Sequence, residues 1–131
     1  MAKNSQVQFL NEPVERQLGF AAMVQQGNTL YLSGLISVDE NMKVVGSGDM
    51  AAQINQIYDL MEKVLAMSQA TLENVVNEVM YTTNIQALIE ASGARVARYA
   101  KCAPPAATGV QVSALFFPEA MIEIQATAVL D

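Results

Sequence analysis

The chain has no histidine and a single cysteine, Cys102, so its chemistry must rest on carboxylates, arginines, hydroxyls, backbone amides or that one thiol. Without His there is no Ser-His or Cys-His nucleophile pair and no imidazole metal site. One Cys supports neither a disulfide framework nor a thiolate cluster, which fits a reducing compartment. The remaining candidates fall in a few places. Glu123 alternates with Ile122 and Ile124, so a strand there would set its carboxyl on the face opposite the two isoleucines. Ser33-Gly34 ends an apolar run, and Thr108-Gly109 follows Pro104-Pro105-Ala106-Ala107. Arg95 and Arg98 lie three positions apart and would be neighbours on a helix surface. By residue type alone each has a plain structural role: a solvated strand carboxylate, a strand end or bulge, a solvated helix face or an intersubunit salt bridge, and, for Cys102, a small packing residue.

A length of 131 residues favours one domain over 1–131. With 52% apolar and only 15% charged residues, the chain can bury a core and is too poor in charge to be disordered. Its net charge of −6 speaks against nucleic acid and against an anionic membrane surface, since both need clustered Lys and Arg. The first residues, Met1 to Gln17, hold no apolar signal core, and no stretch approaches the length of apolar sequence that spans a bilayer. A soluble, cytoplasmic protein is expected.

The elements that must hold these candidates follow from patterning. A weak strand covers Val7 to Leu10. Gly27-Asn28 marks a turn between strands Phe20 to Val24 and Thr29 to Ile36. Asp49 caps a helix from about Met50 to Met67, in which Ile54, Ile57, Tyr58, Met61, Val64 and Leu65 share one face. Val75 to Thr82 reads as a strand. Asn84 caps a second helix to about Tyr99, with Leu88, Ala91, Val96 and Tyr99 inward, a Gly93 that lowers its propensity, and Pro104-Pro105 beyond it. Strands Thr108 to Ser113 and Met121 to Leu130 finish the chain, with Pro118 in the turn between them. Two helices can cover only one face of a five- or six-stranded sheet. The other face should still carry apolar residues such as Leu30 or Leu32, which predicts burial between subunits.

Taken in order, several stretches resemble the RidA/YjgF family, also called the endoribonuclease L-PSP family. They are Gly27-Asn28-Thr29-Leu30-Tyr31-Leu32-Ser33-Gly34, Gly48-Asp49 with Gln53, Leu72-Glu73-Asn74-Val75-Val76, Pro104-Pro105-Ala106-Ala107-Thr108 and Ile122-Glu123-Ile124-Gln125-Ala126. No one of them is specific; the ordered set over about residues 18 to 130 is. The resemblance implies an α+β, chorismate mutase-like fold with a six-stranded mixed sheet and two helices on one face. It also implies a homotrimer with small-molecule clefts between subunits. Family members hydrolyse reactive imines and enamines, such as 2-aminoacrylate, without a cofactor.

By the same resemblance, Glu123 is the catalytic carboxylate that positions water and passes protons. Ser33 and Gly34 edge the pocket, Thr108 supplies a hydroxyl or amide, and Phe20 stands where a Tyr is common. Ser92 and Leu60 stand where Asn is frequent, and Gly109 where catalytic members often have Cys. The main departure is Ala107. Deaminating members have Pro-Ala-Arg at this point, and a methyl group cannot replace a bidentate guanidinium on a substrate carboxylate. Losing such a contact costs a few kcal/mol, about two or more orders of magnitude in rate. Two functions stay open on these grounds: a divergent imine/enamine deaminase-like hydrolase of a small metabolite, and a non-catalytic metabolite-binding or regulatory trimer. Neither needs a metal, an organic cofactor, nucleic acid or a membrane.

Overall fold

The computed structural model describes residues 6–131. Strand β1 (Val7–Gln8) is shorter than expected, and a helix follows it where none was foreseen, α1 (Glu12–Leu18). This helix has no long apolar period to announce it. Local hydrogen bonds start it instead: Val14 N–H donates to the Asn11 side chain, Pro13 sits in the first turn, and the Glu15 carboxyl accepts the N–H groups of Leu10 and Asn11 at 2.8 and 2.7 Å. Gly19, at φ 84°, ends it in the left-handed conformation that glycine tolerates best.

The foreseen hairpin forms from β2 (Met23–Gln26) and β3 (Thr29–Leu32), with Gly27 left-handed in the turn. Phe20 therefore lies before the strand and not in it. The strand expected to run on to Ile36 breaks at Ser33-Gly34 and resumes as β4 (Leu35–Ile36). Helix α2 (Met50–Ala66) begins as foreseen, with Ala52 N–H donating to Asp49 at 3.0 Å, and all six of its predicted inward residues are fully buried. A 3₁₀ turn over Leu72–Asn74 leads into β5 (Val75–Thr82).

The second helix is two helices. Asn84 caps α3 (Ile85–Glu90), the backbone leaves helical geometry at Ala91, and α4 (Ser92–Arg98) follows with Gly93 in its first turn. Leu88 and Tyr99 turn inward, but Val96 is 65% exposed, because the break rotates α4 out of the phase that a continuous helix would keep. Strands β6 (Ala106–Gln111) and β7 (Ile122–Val129) complete one mixed sheet of seven strands, in the order β1-β2-β3-β7-β5-β6, with β4 also paired to β7. Only β5 and β6 run parallel. The fold is thus α+β as expected, with seven strands and four α-helices among the described residues in place of six and two.

Strand β7 organises the molecule because it pairs with β3, β4 and β5. Its Ile122, Ile124, Ala126 and Ala128 are buried in the core with the apolar face of α2. Glu123, Gln125, Thr127 and Val129 lie on the other face. Leu30 or Leu32 was expected on that open face, yet both are buried in the core, since alternate residues of a strand share a side. The open face carries Tyr31, 53% exposed, with Val129 and Val110. Among the described residues no helix is long and apolar enough to cross a membrane.

Candidate active site

The break in the β3–β4 strand builds the site. In register, Leu35 pairs with Ile124 and Ile36 with Glu123, so the chain at Gly34 passes close to the Glu123 side chain. A Cβ on Gly34 would lie 2.7 Å from Glu123 Cδ and 2.9 Å from Cγ, and closer still to Oε2. Gly34 is not among the positive-φ residues, so this position requires glycine for room and not for backbone conformation. Ser33 fixes the break: its hydroxyl donates to the Ala21 carbonyl at 2.6 Å and its N–H to the Ala22 carbonyl at 2.9 Å. The Ser33 proton is thereby engaged, and its oxygen keeps lone pairs for a further donor.

Glu123 is half-buried, and burial pushes its carboxyl above the ordinary carboxylate range. Among the described residues its carboxyl has no ion pair and no hydrogen-bond partner. A carboxyl held this way can give and take a proton at higher pH than an ordinary carboxylate and has its oxygens free for a ligand or water.

Two cavities meet at Gly34 and Glu123. The larger, about 830 Å³, runs under α1 and over α2. It is lined by Phe20, Ser33, Gly34, Leu35, Leu60, Lys63, Phe116, Phe117 and Glu123, among others. The smaller, about 480 Å³, opens on the side of Tyr81, Val112, Leu115 and Gln125. Phe116 borders both. Phe20, Ser33, Gly34 and Glu123 thus come together in one chain, with Leu60.

Ala107 and Thr108 do not join them. Both are exposed on edge strand β6, with β5 between them and β7; Ala107 pairs with Glu78 and Thr108 with Val79. Gly109 backs onto Leu88 and Met80, and Cys102 is a partly buried free thiol packed on the core. Sequence reasoning missed Phe116 and Phe117, although an aromatic pair before Pro118 is a visible signal of a built loop. It also missed Lys63, which nothing in the helical pattern sets apart.

The arginines are all engaged within the chain. Arg16 pairs with Glu12 at 2.6 Å, and Arg98 with Asp59 at 2.5 Å and Glu62 at 3.6 Å. Arg95, expected on a solvated or intersubunit face, instead donates from Nε and Nη2 to Glu78 Oε1 at 2.9 and 2.7 Å. Glu78 is fully buried and also accepts the Tyr58 hydroxyl at 2.8 and 2.9 Å and the Tyr99 hydroxyl at 2.5 Å. Burial and the facing carboxylate push both tyrosine hydroxyls far up. Burial works against the Arg95 charge, but Glu78 and Tyr58 together outweigh it and raise the pKa. No guanidinium therefore lines either cavity at Glu123. Nor do three His, Cys, Asp or Glu side chains converge as a metal site among the described residues.

Known proteins resemble this chain over most of its length. Protein DfrA of Myxococcus xanthus is 34% identical over 110 residues, 83% of this chain and 82% of its own. The 3-aminoacrylate deaminase RutC of Acinetobacter baylyi is 33% identical over 101 residues, 77% of this chain and 79% of its own. A crystal structure of a YjgF-family member from Mycobacterium tuberculosis superposes with a TM-score of 0.82 at 26% identity, covering 95% of this chain and 98% of that one. RidA from a Psychrobacter species gives a TM-score of 0.78 at 25% identity, covering 86% and 89%. Residues 11–130 match the family described as Endoribonuclease L-PSP. With that match, the sheet topology and these relatives together, the chain belongs to the RidA/YjgF (endoribonuclease L-PSP) family.

Proposed function

We propose that this chain is a cofactor-independent hydrolase of small imines or enamines, working at Glu123 without the family's carboxylate-binding Arg. In this reading it is a single cytoplasmic domain over 1–131 that assembles as a homotrimer, the subunits covering the open sheet face and closing the clefts. The observation that carries the proposal is the Glu123 carboxyl: half-buried, unpaired and laid against Gly34, with its pKa raised by desolvation. Structural carboxylates this deep in a protein are usually paired, and an unpaired one in a cleft is a candidate acid/base.

The chemistry follows from one proton moving in turn. The protonated Glu123 carboxyl gives its proton to the imine nitrogen, which makes the carbon electrophilic. The carboxylate then takes a proton from water as the water oxygen bonds to that carbon. In the carbinolamine so formed, Glu123 protonates the nitrogen again. The C–N bond breaks, the hydroxyl proton returns to Glu123, and a carbonyl compound and ammonia leave. The Ser33 oxygen and the Gly34 edge hold the reacting group against the carboxyl, and the apolar walls limit bulk water.

The test is competition with semicarbazide for imines made by an amino-acid oxidase. The chain should lower semicarbazone formation, and a Glu123→Ala variant should not. No effect of the wild-type chain on these imines, nor on imines made from simple amines by an amine oxidase, would remove the enzymatic reading. One observation favours a second reading, a non-catalytic metabolite-binding trimer: the methyl of Ala107 leaves no cation on β6 to anchor a carboxylate. Melting shifts with a metabolite panel in the absence of any turnover would support it. RNA cleavage, which the family description names, fits poorly with a net charge of −6 and no histidine.

A further inference from the structure

The walls of the larger cavity point to a ligand class. Phe20, Leu60, Phe116 and Phe117 give it an apolar lining, and about 830 Å³ is far more than a three-carbon imine needs. Phe116 is 71% exposed, stands edge-on to Phe117 at 5.4 Å, and borders both cavities beside Glu123. An exposed phenyl ring flanking an unpaired carboxyl offers a face to an aryl group or a cationic nitrogen.

The charges around the same cavity agree. Glu15, Asp39 and Glu123 line it without being fully exposed, while Glu40 is exposed and Glu12 is paired with Arg16. The one cation in the lining among the described residues, Lys63, is exposed, where water and salt screen it. All three arginines are committed elsewhere. An incoming carboxylate would meet an excess of negative charge and no fork to hold it. A protonated imine or amine would meet attraction.

We propose that the Glu123 cavity takes carboxylate-free imines of bulky primary amines, aryl-bearing ones in particular, with Phe116 as the specificity-determining platform. This rests on the hydrolase reading above and names its substrate class. The reaction is R–CH=NH plus water giving the aldehyde R–CHO and ammonia, with the proton path through Glu123 already described. The reaction that supplies such a substrate is the oxidation of a primary amine, and the one that follows consumes an aldehyde.

The deciding experiment is semicarbazide competition with two matched imines, one made from phenethylamine by an amine oxidase and one from phenylalanine by an amino-acid oxidase. Binding of phenethylamine and phenylalanine themselves is measured in parallel by melting shift. The expected result is a preference of about tenfold or more in kcat/KM for the phenethylamine-derived imine, equivalent to about 1.4 kcal/mol or more. Phe116→Ala should raise KM for that imine by a clearly larger factor than for an imine made from methylamine, and equal changes for both would count against the platform role. Equal or faster turnover of the phenylalanine-derived imine would overturn the inference and leave the hydrolase reading standing. Turnover of neither would sink the hydrolase reading. In that case tighter binding of phenethylamine than of phenylalanine would still support the ligand class, and the reverse order, or no binding of either, would overturn it.

Discussion

At the scale of single residues, the contact between Gly34 and Glu123 matters most. The three atoms nearest a methyl group on Gly34 would be Oε2, Cδ and Cγ of the Glu123 side chain, so Gly34→Ala should still fold once that side chain swings its carboxyl aside. Displacing a reacting group by about 1 Å can cost about a hundredfold in rate. We therefore expect kcat for imine hydrolysis to fall about a hundredfold in Gly34→Ala while its melting temperature stays close to that of the wild type. Thermal unfolding and steady-state rates check both halves.

Glu123 itself should cost stability. Its carboxyl has a higher pKa folded than unfolded, so the unfolded chain releases that proton more readily, and the native state is penalised progressively as pH rises from the unfolded value through the folded one. Glu123→Gln should melt higher than the wild type at neutral pH, and the gap should close as pH falls to the unfolded value near 4.5. The alternation with Ile122 and Ile124 makes the placement of Glu123 legible from sequence. The close approach of Gly34 is not, because it depends on the register of β4 against β7, two segments far apart in the chain. Arg95 shows the same limit: helical spacing gives its neighbours on α4 but not the buried Glu78 on β5 that engages it.

At the scale of elements, the Glu78 cluster ties three of them together. Tyr58 comes from α2, Arg95 from α4 and Glu78 from β5, with Tyr99 just past α4; the two rings meet edge-on at 5.8 Å. Removing one partner of a buried ion pair leaves the other uncompensated, at about 3–5 kcal/mol. Arg95→Met should lose about that much in urea unfolding. Arg95→Met combined with Glu78→Met should lose less than the two single changes summed, and additive losses would contradict the coupling. Helix α2 was legible because cap and apolar period agree over many residues. Helix α1 was not, since seven residues built on one Asn, one Pro and one Glu show no period. The split at Ala91 was foreshadowed only by Gly93, whose low helix propensity tertiary packing can either override or obey.

At the scale of the whole molecule, one sheet face packs on the helices and the other stays open. Tyr31, Val110 and Val129 are exposed on that open face, and a monomer would leave them in water. Sedimentation of the wild-type chain at micromolar concentration should give three times the chain mass, and Tyr31→Arg should reduce it toward one. A wild-type monomer would contradict the assembly. The α+β class and an uncovered sheet face were legible in the order of strands and helices. Which leucines lay on which side was misjudged, because only the pairing of β3 with β7 fixes the side for Leu30 and Leu32.

The central claim is that an unpaired, desolvated Glu123 carboxyl performs proton transfer in this cavity. Its most direct measurement is the pH dependence of imine hydrolysis for the wild type and Glu123→Gln, with the uncatalysed rate subtracted. The wild type should show an inflection above the ordinary carboxylate range, and the variant should lose that inflection together with about a hundredfold or more in rate. Profiles of the same height and shape for both proteins would contradict the account.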